Sequence, residues 1–200
     1  MPNFTDLTGL ASVASAIAAS LLLLPWITRR TQSHLAMLLG ALFLLVLIPF
    51  SGMPLAAYMR GVTGDLSITT LLLLGCALLK PGGGVAQCNN RFPLLILIAL
   101  AALVLYPMAL GVGAYDPYRW GYGNPQFLAV LLLLALFACL RKSPLIALCI
   151  AFAIIAWAVG WYESDNLWDY LLDPFLSIYA LAVIIIWGMK TLLRGQRDRT

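Results

Sequence analysis

Long apolar runs separated by short polar or Pro/Gly-rich breaks make up most of the chain. Seven stand out, at 7–28, 34–50, 65–79, 93–111, 125–140, 144–161 and 174–189. None has the period-two alternation of a barrel strand, and lengths of roughly 15 to 22 residues suit helices crossing about 30 Å of hydrocarbon. The pattern predicts an all-α fold: one integral membrane domain over 1–200, a polytopic transmembrane bundle of about seven helices, with the third and fifth spans short. Helix-start chemistry points the same way. The first N–H groups of a helix lack partners, so Ser, Asp or Asn before an apolar run, ideally followed by Pro, reads as a cap. Asn124-Pro125, Ser143-Pro144 and Asp173-Pro174 have that form, and Asp6, Ser33 and Asp65 have it without the proline.

Composition makes the same pattern a statement about solvent. Of 200 residues, 62% are hydrophobic and 10% charged, where a soluble domain carries about 25% charged. Lipid must solvate most of such a chain, and in lipid only helices or closed barrels satisfy the backbone. The net charge of +4 does not imply nucleic acid, because the basic residues sit singly or in pairs beside apolar runs, as topology signals do. Arg29, Arg30, Lys80, Arg91, Arg141, Lys142, Lys190, Arg194, Arg197 and Arg199 fall on one side of the seven-span map, leaving Arg60 and Arg119 on the other. This puts the N-terminus outside and the C-terminus in the cytoplasm. The acidic residues were not used to draw that map, yet Asp6, Asp65, Asp116, Glu163, Asp165, Asp169 and Asp173 fall outside and Asp198 alone inside. Positions 1–6 lack the basic start of a cleavable signal, so the first run is expected to be retained. Compact loops fit a bacterial inner membrane. Cys76, Cys88, Cys139 and Cys149 have no CxxC spacing, so neither a disulfide framework nor a thiolate metal site is expected.

Candidate chemistry inside the runs is sparse. No Asp, Glu, Lys or Arg lies at mid-membrane depth, where ion-coupled transporters and pumps usually keep one. Lys190 lies at the end of the last run rather than midway, which excludes a retinal Schiff base. A single histidine, His34, excludes bis-histidine haem and reads as an interfacial residue. No nucleophile with its base, carboxylate pair or HExxH marks an intramembrane protease. Pro81-Gly82-Gly83-Gly84 lacks the Lys-Ser/Thr of a phosphate loop and reads as a flexible connection. No cofactor or metal is expected.

The polar character concentrates in three outer loops, 51–64, 113–124 and 162–173. Aromatics interleaved with carboxylates and amides suit sugar or lipid-headgroup recognition, and they equally suit an interfacial aromatic belt. Asp6, Asp65 and Asp173 read first as caps that complement helix dipoles, and Trp26, Trp161 and Trp187 as belt residues. Asp165 is placed to cap a short interfacial helix over 166–172, which would put Asp169 and Asp173 on one face at i, i+4 spacing. The remaining candidates are Arg60, Asp116, Arg119, Trp120, Glu163, Trp168 and Asp169. They read either as ion pairs pinning the loops together or as a site where an arginine holds an anionic headgroup. Two phrases, 64–70 and 166–174, look constrained without naming a family.

Three functional readings follow. The first is a non-catalytic accessory subunit of an envelope-assembly, secretion or polysaccharide system. Its surroundings are the lipid bilayer, and its outer loops dock on a protein partner in the membrane or on its outer face; nucleic acid is not expected, and a lipid or glycan headgroup is a candidate ligand. The second is a transporter, channel or lipid flippase working through neutral groups such as Ser12, Ser15, Ser20, Thr69, Thr70, Tyr106, Ser177 and Tyr179. The third is an outer-leaflet enzyme on a lipid-linked substrate, with Asp116, Glu163 or Asp169 as acid or base.

Overall fold

The computed structural model describes residues 4–24, 34–78 and 91–197. Each of the seven apolar runs overlaps one helix, the first starting at Phe4 before its run and the last continuing past its run to Arg197. These are α1 (Phe4–Leu22), α2 (Leu35–Leu47), α4 (Ile68–Leu78), α5 (Phe92–Ala109), α6 (Pro125–Leu140), α7 (Pro144–Ala158) and α9 (Pro174–Arg197). Two short helices, α3 (Leu55–Thr63) and α8 (Leu167–Leu171), lie in the first and third polar loops, and a 3₁₀ turn (Pro117–Gly121) lies in the second. Among the described residues the protein is all-α apart from a two-residue-per-strand hairpin, β1 (Pro49–Phe50) with β2 (Met53–Pro54). Three helices, α1, α5 and α9, are long and apolar enough to cross a membrane, while α2, α4, α6 and α7 are shorter apolar helices.

Local chemistry explains where the boundaries move from the expected ones. The second run ends as a helix at Leu47 rather than at 50, because Pro49 cannot continue it and the Ser51-Gly52 turn, with φ of 55° and 98°, starts the hairpin. The third begins at Ile68 rather than 65. Its start is set by Ser67, whose Oγ accepts from Thr70 N at 3.2 Å, so Asp65 is not the cap. Asp6 is not one either, since α1 begins at Phe4 and Asp6 lies in its first turn. Asn124 accepts from Gln126 N and Phe127 N as expected, whereas Ser143 makes no side-chain cap bond. Ser33 lies outside the described residues. Cysteine usage needs one correction: Cys76 is disulfide-bonded, and its partner is outside the described residues. Sequence spacing tests for motifs, whereas a disulfide needs only spatial approach.

Small side chains let α1 pack closely, the usual device where lipid removes the hydrophobic drive between helices. Ser12, Val13, Ala16 and Ala19 are buried along it, and it contacts α2, α3 and α4. Ala14, Val46 and Ala56 make a small cluster where α1, α2 and α3 meet. The main core lies around α7, where Cys149, Ile150 and Ala153 are buried among residues of α4, α5, α6, α8 and α9. Outward faces are apolar too. Leu100 and Leu103 on α5, Leu132 and Leu133 on α6, and Ile185 and Ile186 on α9 are all more than half exposed, far more apolar surface than water tolerates.

Candidate functional site

The three polar loops and the start of α1 meet at one end of the fold, and an arginine organises one side of the meeting. Gly64, at φ 70°, ends α3 by returning its N–H to the Arg60 carbonyl at 2.8 Å. The Arg60 guanidinium is then held two-pronged by Asp65, Nε to Oδ1 at 2.6 Å and a terminal nitrogen to Oδ2 at 3.1 Å. Asp6 of α1 approaches at 3.3 Å and Glu163 at 3.6 Å. Gly9 makes this possible. A Cβ there would overlap Asp65 Oδ1 and come within 2.7 Å of Arg60 Cζ, so the ion pair lies directly on the α1 backbone. The hydrogen bonds that Arg60 donates to Asp65 hold its charge more firmly than burial opposes it, raising its pKa. Glu163, exposed at the edge, is raised chiefly by a hydrogen bond shared with Asp6, which outweighs the pull of Arg60.

A buried carboxylate joins the second pair of segments. Asp173 is 2% exposed, and its Oδ2 accepts from Ser67 N at 3.2 Å, from Ser67 Oγ at 2.7 Å and from the Thr70 hydroxyl. Its Oδ1 accepts from Leu176 N at 2.9 Å, which caps α9. The constrained phrases 64–70 and 166–174 are thus one structural unit, with Asp173 as both cap and tie.

An aromatic and amide layer completes the cap. The Tyr162 hydroxyl donates to the Leu66 carbonyl at 2.8 Å and lies 3.1 Å from Ser12 Oγ. Its ring stacks on Tyr170 with centroids 5.0 Å apart, and the Tyr170 hydroxyl accepts from Tyr162 N and donates to Ser164 O, each at 3.0 Å. Thr8 of α1 donates to the Trp161 carbonyl. Asn166, fully buried, accepts from Trp168 N at 2.9 Å and donates to the Tyr118 carbonyl at 2.9 Å. It, not Asp165, caps α8, whose last helical residue is Leu171. Asp169 and Asp173 consequently diverge rather than share a face. Asp169 accepts from the Tyr118 hydroxyl at 2.9 Å and from Ser164 Oγ. Burial first, then Asp169, raises the Tyr118 phenol, which stays a donor at neutral pH.

The candidates separate into two groups. Arg60 and Glu163 sit on the α1–α3 side. Asp116, Arg119, Trp120, Trp168 and Asp169 gather at the 3₁₀ turn, where Asp116 accepts from Tyr118 N at 3.0 Å and Trp168 Nε1 donates to the Pro117 carbonyl at 3.0 Å. Trp168 also packs on Phe127, and Trp120 meets Tyr115 edge-to-face at 5.7 Å. Arg119 differs from Arg60: it is exposed and makes no ion pair among the described residues. Sequence reading missed Asn166, Tyr162, Tyr170, Gly9 and Gly121 as members of this unit. Only the constrained look of 166–174 hinted at Asn166 and Tyr170. Among the described residues no group of three His, Cys, Asp or Glu side chains is placed to hold a metal ion.

No family model matches the chain, and neither a curated protein nor a solved structure shows significant similarity to it.

Proposed function

We propose that this is a seven-span membrane protein, N-terminus outside and C-terminus in the cytoplasm, of the bacterial inner membrane. In this reading it is a non-catalytic accessory subunit of an envelope-assembly, secretion or polysaccharide system. It docks a protein partner through the face made by the 113–124 and 162–173 loops. The observation that carries the reading is how the cap spends its polar groups. Of the three carboxylates that an outer-leaflet enzyme would use as acid or base, Asp116 and Asp169 accept hydrogen bonds from the cap itself and Glu163 lies 3.6 Å from the Arg60 guanidinium. Arg119, Tyr115 and Tyr122 remain exposed on the same braced segment. A pre-ordered face with Arg and Tyr anchors suits protein recognition, because little side-chain and loop freedom is lost on docking. The neutral path of a carrier finds less support. Ser12, Ser15 and Ser177 donate to carbonyls of their own helices, Thr8, Ala11 and Asp173, at 2.8, 2.7 and 2.8 Å.

Charge segregation supports the orientation, and the disulfide at Cys76 pulls against it, since disulfides persist mainly in oxidising compartments. Labelling decides between them. In intact cells a membrane-impermeant thiol reagent is expected to reach Arg119→Cys and to leave Arg30→Cys, Val85→Cys and Lys142→Cys unmodified. Modification of those three from outside would reverse the map. For the docking face, Arg119→Glu is expected to cut partner recovery after gentle crosslinking of native membranes at least five-fold, at an unchanged level of folded protein. If the unmutated protein is recovered alone, the accessory reading fails.

A further inference from the structure

Helix α3 is amphipathic in a specific way. Leu55, Tyr58, Met59 and Val62 are 51%, 46%, 40% and 85% exposed, and their i, i+3, i+4, i+7 spacing puts them on one stripe. The opposite face is fixed: Ala56 is fully buried against α1 and α2, and Arg60 is clamped by Asp65 and Asp6. The helix cannot roll to hide its apolar stripe without breaking that clamp. The hairpin before it adds Phe50 and Met53, 79% and 56% exposed. It is held near α3 by the Tyr58 hydroxyl, which donates to Ser51 O at 3.2 Å.

We propose that α3 and the β1–β2 hairpin form an in-plane anchor whose apolar stripe is buried in the outer boundary of the lipid bilayer. Continuity identifies the occupant. On α2, Leu44, Leu45 and Ile48 are exposed at 64%, 60% and 58%, and the exposed apolar set runs from them through the hairpin into α3. Whatever solvates the flank of α2 solvates the stripe. Residues 49–59 contain no charged side chain, so the surface offers a polar partner nothing to pair with. At nine residues α3 spans about 14 Å, too short to cross and suited to lying at the headgroup boundary as interfacial helices do. The single cation of the helix, Arg60, sits on the polar face, fixed by the cap. In this arrangement the Arg60 cluster sets the tilt of a membrane-resting element, and Gly9 sets how closely that element approaches α1. The inference rests on the seven-span reading, which makes the flank of α2 lipid-facing, and stands whether or not the docking face is correctly placed.

The test uses the full-length protein carrying a benzophenone amino acid at position 62 or 59, both exposed enough to accept it. It is irradiated in vesicles of phosphatidylethanolamine and phosphatidylglycerol and, in parallel, in native membranes. The expected product at both positions and in both preparations is the protein plus one phospholipid by mass spectrometry, at a yield at least five-fold above that from the probe at position 119. An adduct to a polypeptide at position 62 or 59 would show a protein-binding groove instead and overturn the anchor. So would the absence of any lipid adduct. A polypeptide adduct confined to position 119 supports the docking face and leaves the anchor intact, so the two readings can fail separately.

Discussion

Replacing Asp173 by alanine is expected to lower the stability of the folded protein by about 2–4 kcal/mol, read as a fall in the midpoint of unfolding in sodium dodecyl sulfate followed by circular dichroism. The size follows from which donors are stranded. The Ser67 and Thr70 hydroxyls can turn to other acceptors, but the backbone N–H groups of Ser67 and Leu176 cannot. An unsatisfied buried N–H costs roughly 1–3 kcal/mol, and a lost helix cap about 1 kcal/mol more. Hydrogen bonds between helices in lipid average less than this, because the unfolded helices find other partners there, so the lower half of the range is expected. Asn at 173 is expected to fall between the two. Its single carbonyl can serve the Ser67 side or the Leu176 side, and its amide then faces a donor on the other. A midpoint shift for alanine no larger than that of a surface substitution would mean that the 64–70 and 166–174 segments are not tied through this carboxylate.

The elements were legible in the sequence because lipid leaves the backbone so few choices. In lipid a run of apolar residues without period-two alternation, between Pro, Gly or charged breaks, has only the helix available, and Pro125, Pro144 and Pro174 mark starts to the residue. The caps were legible only in part, since a Ser, Asp or Asn before a run says that a cap is needed but not which neighbour supplies it. Asp65 looks like a cap and is instead drawn to Arg60, five residues back, where a charge–charge hydrogen bond outweighs what a cap contributes. Asp165 lost its place to Asn166, one residue on, whose amide can both accept from Trp168 N and donate to Tyr118 O, which a carboxylate cannot do. Helix α3 was read only as part of the 51–64 polar loop, because at nine residues it falls below the length that separates a span from a loop. The joins between loops were not legible at all. Ser67 and Asp173 are 106 positions apart, and nothing in the composition of either segment names the other.

Gly121 tests the cap where its packing is tightest. A Cβ at that position would overlap Asn166 Oδ1 and lie 2.6 Å from Asn166 Cγ and 2.9 Å from Trp168 Cδ1. Asn166 cannot move aside without giving up Trp168 N, Tyr118 O or both. Gly121→Ala is therefore expected to cost about 2–3 kcal/mol, part from overpacking and part from uncapping α8. Gly61→Ala is the control, since nothing lies within 4 Å of a Cβ there and a helical alanine gains up to about 1 kcal/mol over glycine. The decisive measurement is the double substitution. Asn166→Ala removes two of the three atoms the new methyl strikes and leaves Trp168 Cδ1 at 2.9 Å, so Gly121→Ala added to it should cost clearly less than it does alone, and the two costs should fall short of adding. Simple additivity would place the damage at Gly121 against Trp168 or in its own backbone rather than in the contact with Asn166. The 3₁₀ turn that carries Arg119 would then be held to α8 by the Trp168–Pro117 and Tyr118–Asp169 hydrogen bonds and not by Asn166.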